Sequence, residues 1–480
     1  MKNNRRDFLK NISLAGLGLT GAGKLTDSFL SGIREPFQQT HRQRFNMHDY
    51  SAPALETVRI GFIGVGSRGS GHVRRYARIE GVEIKALCDT IPGRVTGTID
   101  RLEGGLHYPD AYHGSEDEWK KVCDRDDIDL IIISTPWDQH AEQAIYAMEQ
   151  GKHVGVEVPV ALTIEDCWKL VETSEQTRKH CMMLANSAYG DFNILTISMA
   201  RQGFFGDIVH GEGAYIHDRV SGSNRWRRDP ENANWFGYRP WRLDANVGRN
   251  GNLYPTHGLG SICQVMNLNY GDQMDYLISL SGDDFTMGDK MKELAAEDDY
   301  YNSYVGKSFR GNMNVSVIRT HNGRTIMLQH DISSPRPNVR YNLISGTKAI
   351  ARQSPPPARF ATGHGGWLSQ DEADLLTEKY KPEISKRVGE ISSEIGGHGG
   401  VDTMMAWRMI DCLRNGIPLD MDVYDAALWS SIIPLSEWSV ANRSNSVSVP
   451  DFTTGAWKTN EPNMDIELKR GGSTRILSLR

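Results

Sequence analysis

The sequence predicts an α/β fold in two parts, an N-terminal doubly wound parallel sheet and a C-terminal α+β domain with a large, mainly antiparallel sheet. Three observations predict it. Short continuous apolar runs alternate with helical stretches through residue 185, as buried parallel strands require. A glycine-rich turn joins the first of these runs to a helix. Beyond residue 186 apolar and polar residues alternate, and a hairpin signal separates two such stretches.

The elements follow in order. Residues 58–64 (VRIGFIG) read as a buried strand, and residues 82–87, 130–133, 153–156 and 181–185 as its companions. Residues 163–179 read as a helix, with Thr163 and Asp166 as a capping pair and Ile164, Trp168 and Val171 on one face. Residues 208–217 alternate, setting Tyr215 and His217 on one face and Ile208 and Ile216 on the other. Residues 314–320 and 325–331 flank Asn322-Gly323, a hairpin turn. Helices near 401–414 and 423–442 follow, free to pack back on the first domain. The expected boundaries are a signal over 1–30, a linker over 31–55, a nucleotide-binding domain over 56–185, a substrate domain over 186–450 and a tail over 451–480.

Composition narrows the function. A net charge of -6 gives no basic footprint for nucleic acid. The six cysteines form no C-x-x-C pair and read as small buried hydrophobes. His210, His217, His257 and His330 lack metal-ligand spacing, so no metal is expected. Arg5-Arg6-Asp7-Phe8-Leu9-Lys10 precedes a short apolar, Gly-rich run, the pattern of an export signal. Its paired arginines resemble the twin-arginine type, which carries folded proteins to the periplasm or beyond. No other stretch reaches the ~20 apolar residues of a membrane span.

Gly64-Val65-Gly66-Ser67-Arg68-Gly69 sits between strand and helix, as in a Rossmann dinucleotide site. Gly64 permits the tight turn, Gly66 the approach of the pyrophosphate, and Gly69 close helix packing. Asp89 ends the second strand, where a carboxylate accepts from ribose hydroxyls and favours NAD over NADP. Arg94 nearby keeps NADP open. Trp137 and His140 follow the third apolar run at the carboxyl edge of the sheet, where ligands bind in such folds.

These residues resemble the Gfo/Idh/MocA oxidoreductases over residues 56–450. Most members carry Glu-Lys-Pro, whose lysine serves hydride chemistry; this chain has Glu157-Val158-Pro159. The valine form resembles glycoside hydrolase family 109, the NAD-dependent α-N-acetylgalactosaminidases. Residues 186–190, 211–217, 249–260 (RNGNLYPTHGLG) and 323–337 (GRTIMLQHDISSPRP) are similar to that family too. The resemblance implies NAD contacts at Ser67, Arg68, Asp89, Trp137, His140, Glu157, Val158, Asn186 and Tyr254. It implies sugar contacts at Tyr215, Arg242 and the run Tyr254, Pro255, Thr256, His257. Where the family has a sugar-contacting tyrosine after Ser-Pro-Arg-Pro, this chain has Asn338, with Tyr341 displaced.

The implied reaction is retaining hydrolysis of terminal α-N-acetylgalactosaminides on glycans or glycoconjugates, by transient oxidation at C3, elimination, addition of water and reduction. Such a cycle needs bases and a proton donor. Tyr254 and His257 are spaced to share a helix face, with Pro255 at the first helical position. Tyr189 and Tyr215 are further base candidates, and Arg242 a cation to tune them or clamp an acyl oxygen. An NAD(P)-dependent sugar oxidoreductase and a non-catalytic sugar-binding protein stay open as alternatives. The Gly-rich run Gly396–Gly400 reads as a loop, with a place over the active site as one option. Pairing through the exposed face of the second sheet, giving a homo-oligomer, is a further expectation.

Overall fold

Six parallel strands carry the first half: β1 (Val58–Ile63), β2 (Val82–Asp89), β3 (Asp110–His113), β4 (Leu130–Ile133), β5 (His153–Val156) and β6 (Cys181–Met183). In this computed structural model, which describes Phe37 and residues 41–102, 106–220, 226–228 and 240–477, they lie in the order β3-β2-β1-β4-β5-β6. The export motif and the start of the expected linker fall outside the described residues. Helices α1 (Ser67–Tyr76), α2 (Pro92–Ile99), α3 (Glu118–Cys123), α4 (His140–Glu149) and α5 (Ile164–Thr177) connect the strands. Every residue of β4, β5 and β6 is buried, which is why those runs lack polar alternation. The strand order reverses between β1 and β4, which opens a ligand crevice at their carboxyl ends. Thr163 caps α5 by accepting from the Asp166 N–H at 3.0 Å, as the sequence spacing predicts.

The second half begins with α6 (Asp191–Arg201), β7 (Ile208–Ile216), α7 (Trp241–Asp244), α8 (Thr256–Met266), β8 (Met274–Ser281) and α9 (Met287–Ala295). It continues with β9 (Asn314–Thr320), β10 (Thr325–Asp331), β11 (Asn342–Gly346), β12 (Ile350–Arg352) and β13 (Arg359–Ala361). Then come α10 (Gln370–Tyr380), α11 (Glu383–Ile395), α12 (Val401–Asn415), α13 (Val423–Ala441) and β14 (Val447–Ser448). The eight strands order as β13-β12-β11-β7-β10-β9-β8-β14, antiparallel throughout except for the parallel β7–β10 pair. The β9–β10 hairpin turns at Gly323, whose φ is +83°.

Two close approaches position the site. A Cβ on Gly213 would lie 2.0 Å from the Gly258 carbonyl oxygen, so these glycines let α8 lie directly on β7. That contact brings the start of α8 over Tyr215. α13 then packs on α5, β6 and β8, tying both sheets to one helix. Its apolar surface runs nearly all round, and the Ser430 hydroxyl accepts from the Val160 N–H at 3.1 Å. The other face of the second sheet leaves Tyr276, Ile278 and Leu280 exposed. No helix among the described residues is long and apolar enough to cross a membrane.

Residues 41–55 and 451–477 both pack against the rest of the molecule. Residues 41–55 are not a free linker. Met47 is buried, Gln43 donates to the Tyr424 hydroxyl at 2.8 Å, and His41 lies between Glu172 and Glu175. The segment reads as polar because its partners are buried polar groups. Residues 451–477 are not a loose tail: Phe452, Met464 and Ile466 are fully buried, and Ile476 bridges to Ile79 beside β2. Buried Arg408, paired with Asp411 and Asp420, also donates to the Arg470 carbonyl at 3.2 Å and anchors this return. All six cysteines are buried and unpaired.

Candidate active site

The dinucleotide cradle is built from the end of β1. Gly64 has φ +82°, and a Cβ on Gly69 would lie 1.8 Å from the Gly64 carbonyl oxygen. No other residue allows that packing. Gly66 starts α1 without a side-chain cap, so the first-turn N–H groups are left for a phosphate. The Asp89 carboxylate accepts from the Val65 and Ile91 N–H groups, both at 3.0 Å, and meets Arg94 at 3.5 Å. Burial raises its carboxyl, with Arg94 and the two N–H groups opposing. Ser134 Oγ at the crevice and Asn186 Oδ1 are buried without partners, as a site that completes itself with a polar ligand requires. The residues present therefore fit a nicotinamide dinucleotide.

An ionic network joins this cradle to the second half. Arg68 donates to Glu157 at 2.6 Å and to Asp402 on α12 at 2.7 and 3.0 Å. His72, one turn beyond Arg68, donates to Glu157 at 2.7 Å. Asn186 donates to Asp402 at 2.6 Å, and His398 meets the same carboxylate at 2.9 Å. Burial works against both carboxylates. The Arg68 guanidinium and the His72 hydrogen bond nonetheless hold Glu157 well below the usual range, as His398 and Arg68 do Asp402. Three sequence-predicted residues, Arg68, Glu157 and Asn186, thus meet through Asp402 and His398, which sequence reasoning did not assign. The i, i+4 spacing of His398 and Asp402, and of Arg68 and His72, was the signal that could have found them.

Trp137 bridges to the sugar side. It stacks on Tyr254 at 5.4 Å and 25°, and the Arg242 guanidinium lies over it at 4.8 Å. His140 lies between two backbone carbonyls. Its ring nitrogens lie 2.7 Å from the Pro159 carbonyl and 2.8 Å from the Thr135 carbonyl. In the neutral ring that burial favours, one nitrogen donates to one of these carbonyls, tying His140 to the β4 loop or the Glu157–Pro159 turn. Val158 is buried in that turn, before a cis Pro159.

Tyr215 from β7, Tyr254 and His257 form one cluster. Ring centroids are 4.7 Å apart for Tyr215–Tyr254, 4.9 Å for Tyr254–His257 and 5.5 Å for Tyr215–His257. Pro255 takes the N-cap position of α8, one residue earlier than expected, and still sets Tyr254 and His257 side by side. Burial pushes the Tyr254 hydroxyl up although Arg242 opposes it. Burial, then Arg340, holds His257 well below the ordinary histidine value. His257 Nδ1 and Thr256 Oγ1 are buried without partners. A narrow cleft opens here, lined by Trp137, Tyr215, Arg242 and Tyr254 among others.

Two predicted residues lie elsewhere. Tyr189 is fully buried and donates to Asp420 at 3.1 Å; burial and that carboxylate push its hydroxyl far up, so it cannot act as a base. Asn338 is exposed in the β10–β11 connection and lines neither this cleft nor the cluster. Arg340, two residues on, acts on His257 instead.

A switch-point crevice with a glycine cradle, next to a cleft of aromatic rings and arginines, defines a dinucleotide-binding fold of the oxidoreductase type. Residues 58–185 match the family model "Oxidoreductase family, NAD-binding Rossmann fold", and residues 189–459 match "Glycosyl hydrolase 109, C-terminal domain". A glycosyl hydrolase family 109 protein of Shewanella pealeana is 45% identical over 472 residues, covering 96% of this chain and 99% of its own. One of Shewanella woodyi is 46% identical over 424 residues, covering 86% and 88%. Among solved structures, levoglucosan dehydrogenase in complex with NADH and levoglucosan is similar in fold, with TM-score 0.60 and 18% identity over 82% of this chain and all of that one. Scyllo-inositol dehydrogenase of Lactobacillus casei gives TM-score 0.56 and 15% identity over 82% of this chain and 99% of its own. The chain belongs to glycosyl hydrolase family 109, and its N-terminal half is the NAD-binding Rossmann domain.

Proposed function

We propose that the chain releases terminal α-linked N-acetylgalactosamine from glycans or glycoconjugates, with retention, in a cycle that leaves its NAD unchanged overall. The observation that carries this reading is the Tyr215–Tyr254–His257 cluster in a chain whose Glu157–Pro159 turn holds a buried Val158. The lysine of related dehydrogenases is missing, and His257 in the cluster has a ring nitrogen without a partner.

The Gly64–Gly69 loop, Asp89 and Asn186 would hold the dinucleotide, which when bound supplies reversible acceptance and return of a hydride. Tyr254 and Tyr215 orient the sugar hydroxyls; the raised Tyr254 hydroxyl stays protonated at neutral pH and acts as a hydrogen-bonding group. His257, kept neutral by burial, takes the proton from the sugar. His398, half exposed and bonded to Asp402 through Nδ1, keeps its Nε2 to protonate the leaving oxygen. The Arg5-Arg6 motif supports export of the loaded enzyme to the periplasm or beyond. Replacing both arginines by lysine should then leave it in the cytoplasm on fractionation.

The test uses purified protein without added cofactor and p-nitrophenyl α-N-acetylgalactosaminide in deuterated buffer. Release of nitrophenol without net NADH, with deuterium at product C2, is expected. Steady NADH accumulation would favour the sugar oxidoreductase instead, and full retention of C2 protium would reject the elimination route.

A further inference from the structure

Adjoining the sugar cleft lies a second, smaller cavity with room for about one water-sized group, and the two share Trp226, Asn246 and Ile332 as walls. Their lining holds three arginines, Arg219, Arg242 and Arg310, and not one carboxylate among the described residues. Sites for neutral sugars ordinarily need acceptors for hydroxyl groups; this lining is biased the other way.

Arg310 is the unusual member. It is 2% exposed, and its two terminal nitrogens donate to the His330 carbonyl at 3.3 Å and the Asn312 carbonyl at 3.1 Å. Its Nε has no partner. Asp331 and Asp284 act on it only through space, since Asp331 accepts from the Ser333 and Ser334 N–H groups and Asp284 caps the start of α9. Burial pushes the guanidinium down to about 10. A buried cation without a contact counter-ion is costly unless a ligand supplies one.

The neighbouring groups point the same way. His330 Nδ1 accepts from the Leu253 N–H at 3.2 Å, so in its neutral form Nε2 carries the proton, and that donor is buried without an acceptor. Trp226 Nε1 and Ser333 Oγ are likewise unpartnered donors, against a single unpartnered acceptor, Asn246 Oδ1. Three donors and the Arg310 guanidinium, spread over the two adjoining cavities, call for an acceptor-rich, negatively charged group.

We propose that this floor recognises an anionic substituent on the substrate sugar, a sulfate ester or a carboxylate, seated against Arg310. The identity of the sugar rests on the glycosidase reading above; the anion site rests on the cavity alone.

The test compares p-nitrophenyl α-N-acetylgalactosaminide with its 4-O-sulfate, its 6-O-sulfate and its C6 carboxylate, on the holoenzyme. At least one anionic glycoside should show kcat/KM tenfold or more above the neutral one. Arg310→Gln should abolish that advantage. Asn246→Asp, which keeps Arg310 and adds a negative charge to the wall, should lower the ratio at least tenfold even if Arg310→Gln fails to fold. A neutral glycoside cleaved as well as all three, or a preference that survives both variants, overturns the proposal. If no glycoside is cleaved, the glycosidase reading fails by itself. Thermal shifts then decide: stabilisation by N-acetylgalactosamine 6-sulfate beyond that by N-acetylgalactosamine, lost in Asn246→Asp, supports the site, and equal shifts overturn it.

Discussion

Asp402 carries one charge and serves Arg68, Asn186 and His398 at once, from a fully buried position. Its place in α12 lets the second half of the chain hold the residue next to the glycine loop. His257 is the opposite case, a group left without a partner for its Nδ1. His257→Ala should cut turnover about 10²- to 10⁴-fold, the usual worth of a general base, while NAD still co-purifies, read from the absorbance of released dinucleotide. Equal loss of both would make His257 structural. Tyr189→Phe should leave kcat within about twofold and lower stability by about 1 kcal/mol, the net worth of one hydrogen bond, because its hydroxyl serves Asp420. A larger fall in kcat at unchanged KM would restore a chemical role to Tyr189. Tyr189 and Tyr215 look alike in sequence; only the packing under Arg408 separates Tyr189 from the cleft.

At the level of elements, the β1–α1 turn has the least freedom. Gly69→Ala would drive a methyl into the Gly64 carbonyl oxygen and displace α1 from the cradle. The variant should purify without dinucleotide, and a dinucleotide content equal to wild type would show that the loop can give way. This turn, the Thr163 cap and the Asn322-Gly323 hairpin were legible because local backbone chemistry dictates them. The carbonyl neighbours of His140 were not, because a histidine at a helix start looks the same whatever backbone surrounds it. Nor were residues 41–55: a polar segment resembles a linker until Glu175 and Tyr424 are found waiting for it. The α8–β7 contact also escaped, since Gly213 and Gly258 are distant in sequence and meaningful only as a pair.

At the scale of the described molecule, residues 41–55, residues 451–477 and α13 bind the two sheets into one body. Calorimetry should therefore show one main transition where two separable domains would give two. Its pH dependence follows from buried histidines. Burial, with Lys179 adding to it and Asp422 opposing, takes His180 down to about 4. His180 lies against His153 and Tyr50. The unfolded chain thus binds the proton more readily, so stability is full above the unfolded value of about 6.5 and falls as pH drops toward 4. The loss from this one group is roughly 3 kcal/mol. A melting temperature that stays level from pH 7 to 4.5 would contradict the buried, neutral His180.

Burial also keeps the thiols protonated: it raises Cys88, Cys123, Cys167, Cys181, Cys263 and Cys412 alike. A protonated, enclosed sulfur is a poor nucleophile and a poor target for oxidants. The covalent skeleton of this molecule is thereby the same in glutathione-rich and in oxygenated surroundings, and neither an oxidase nor an isomerase has any step to perform on it.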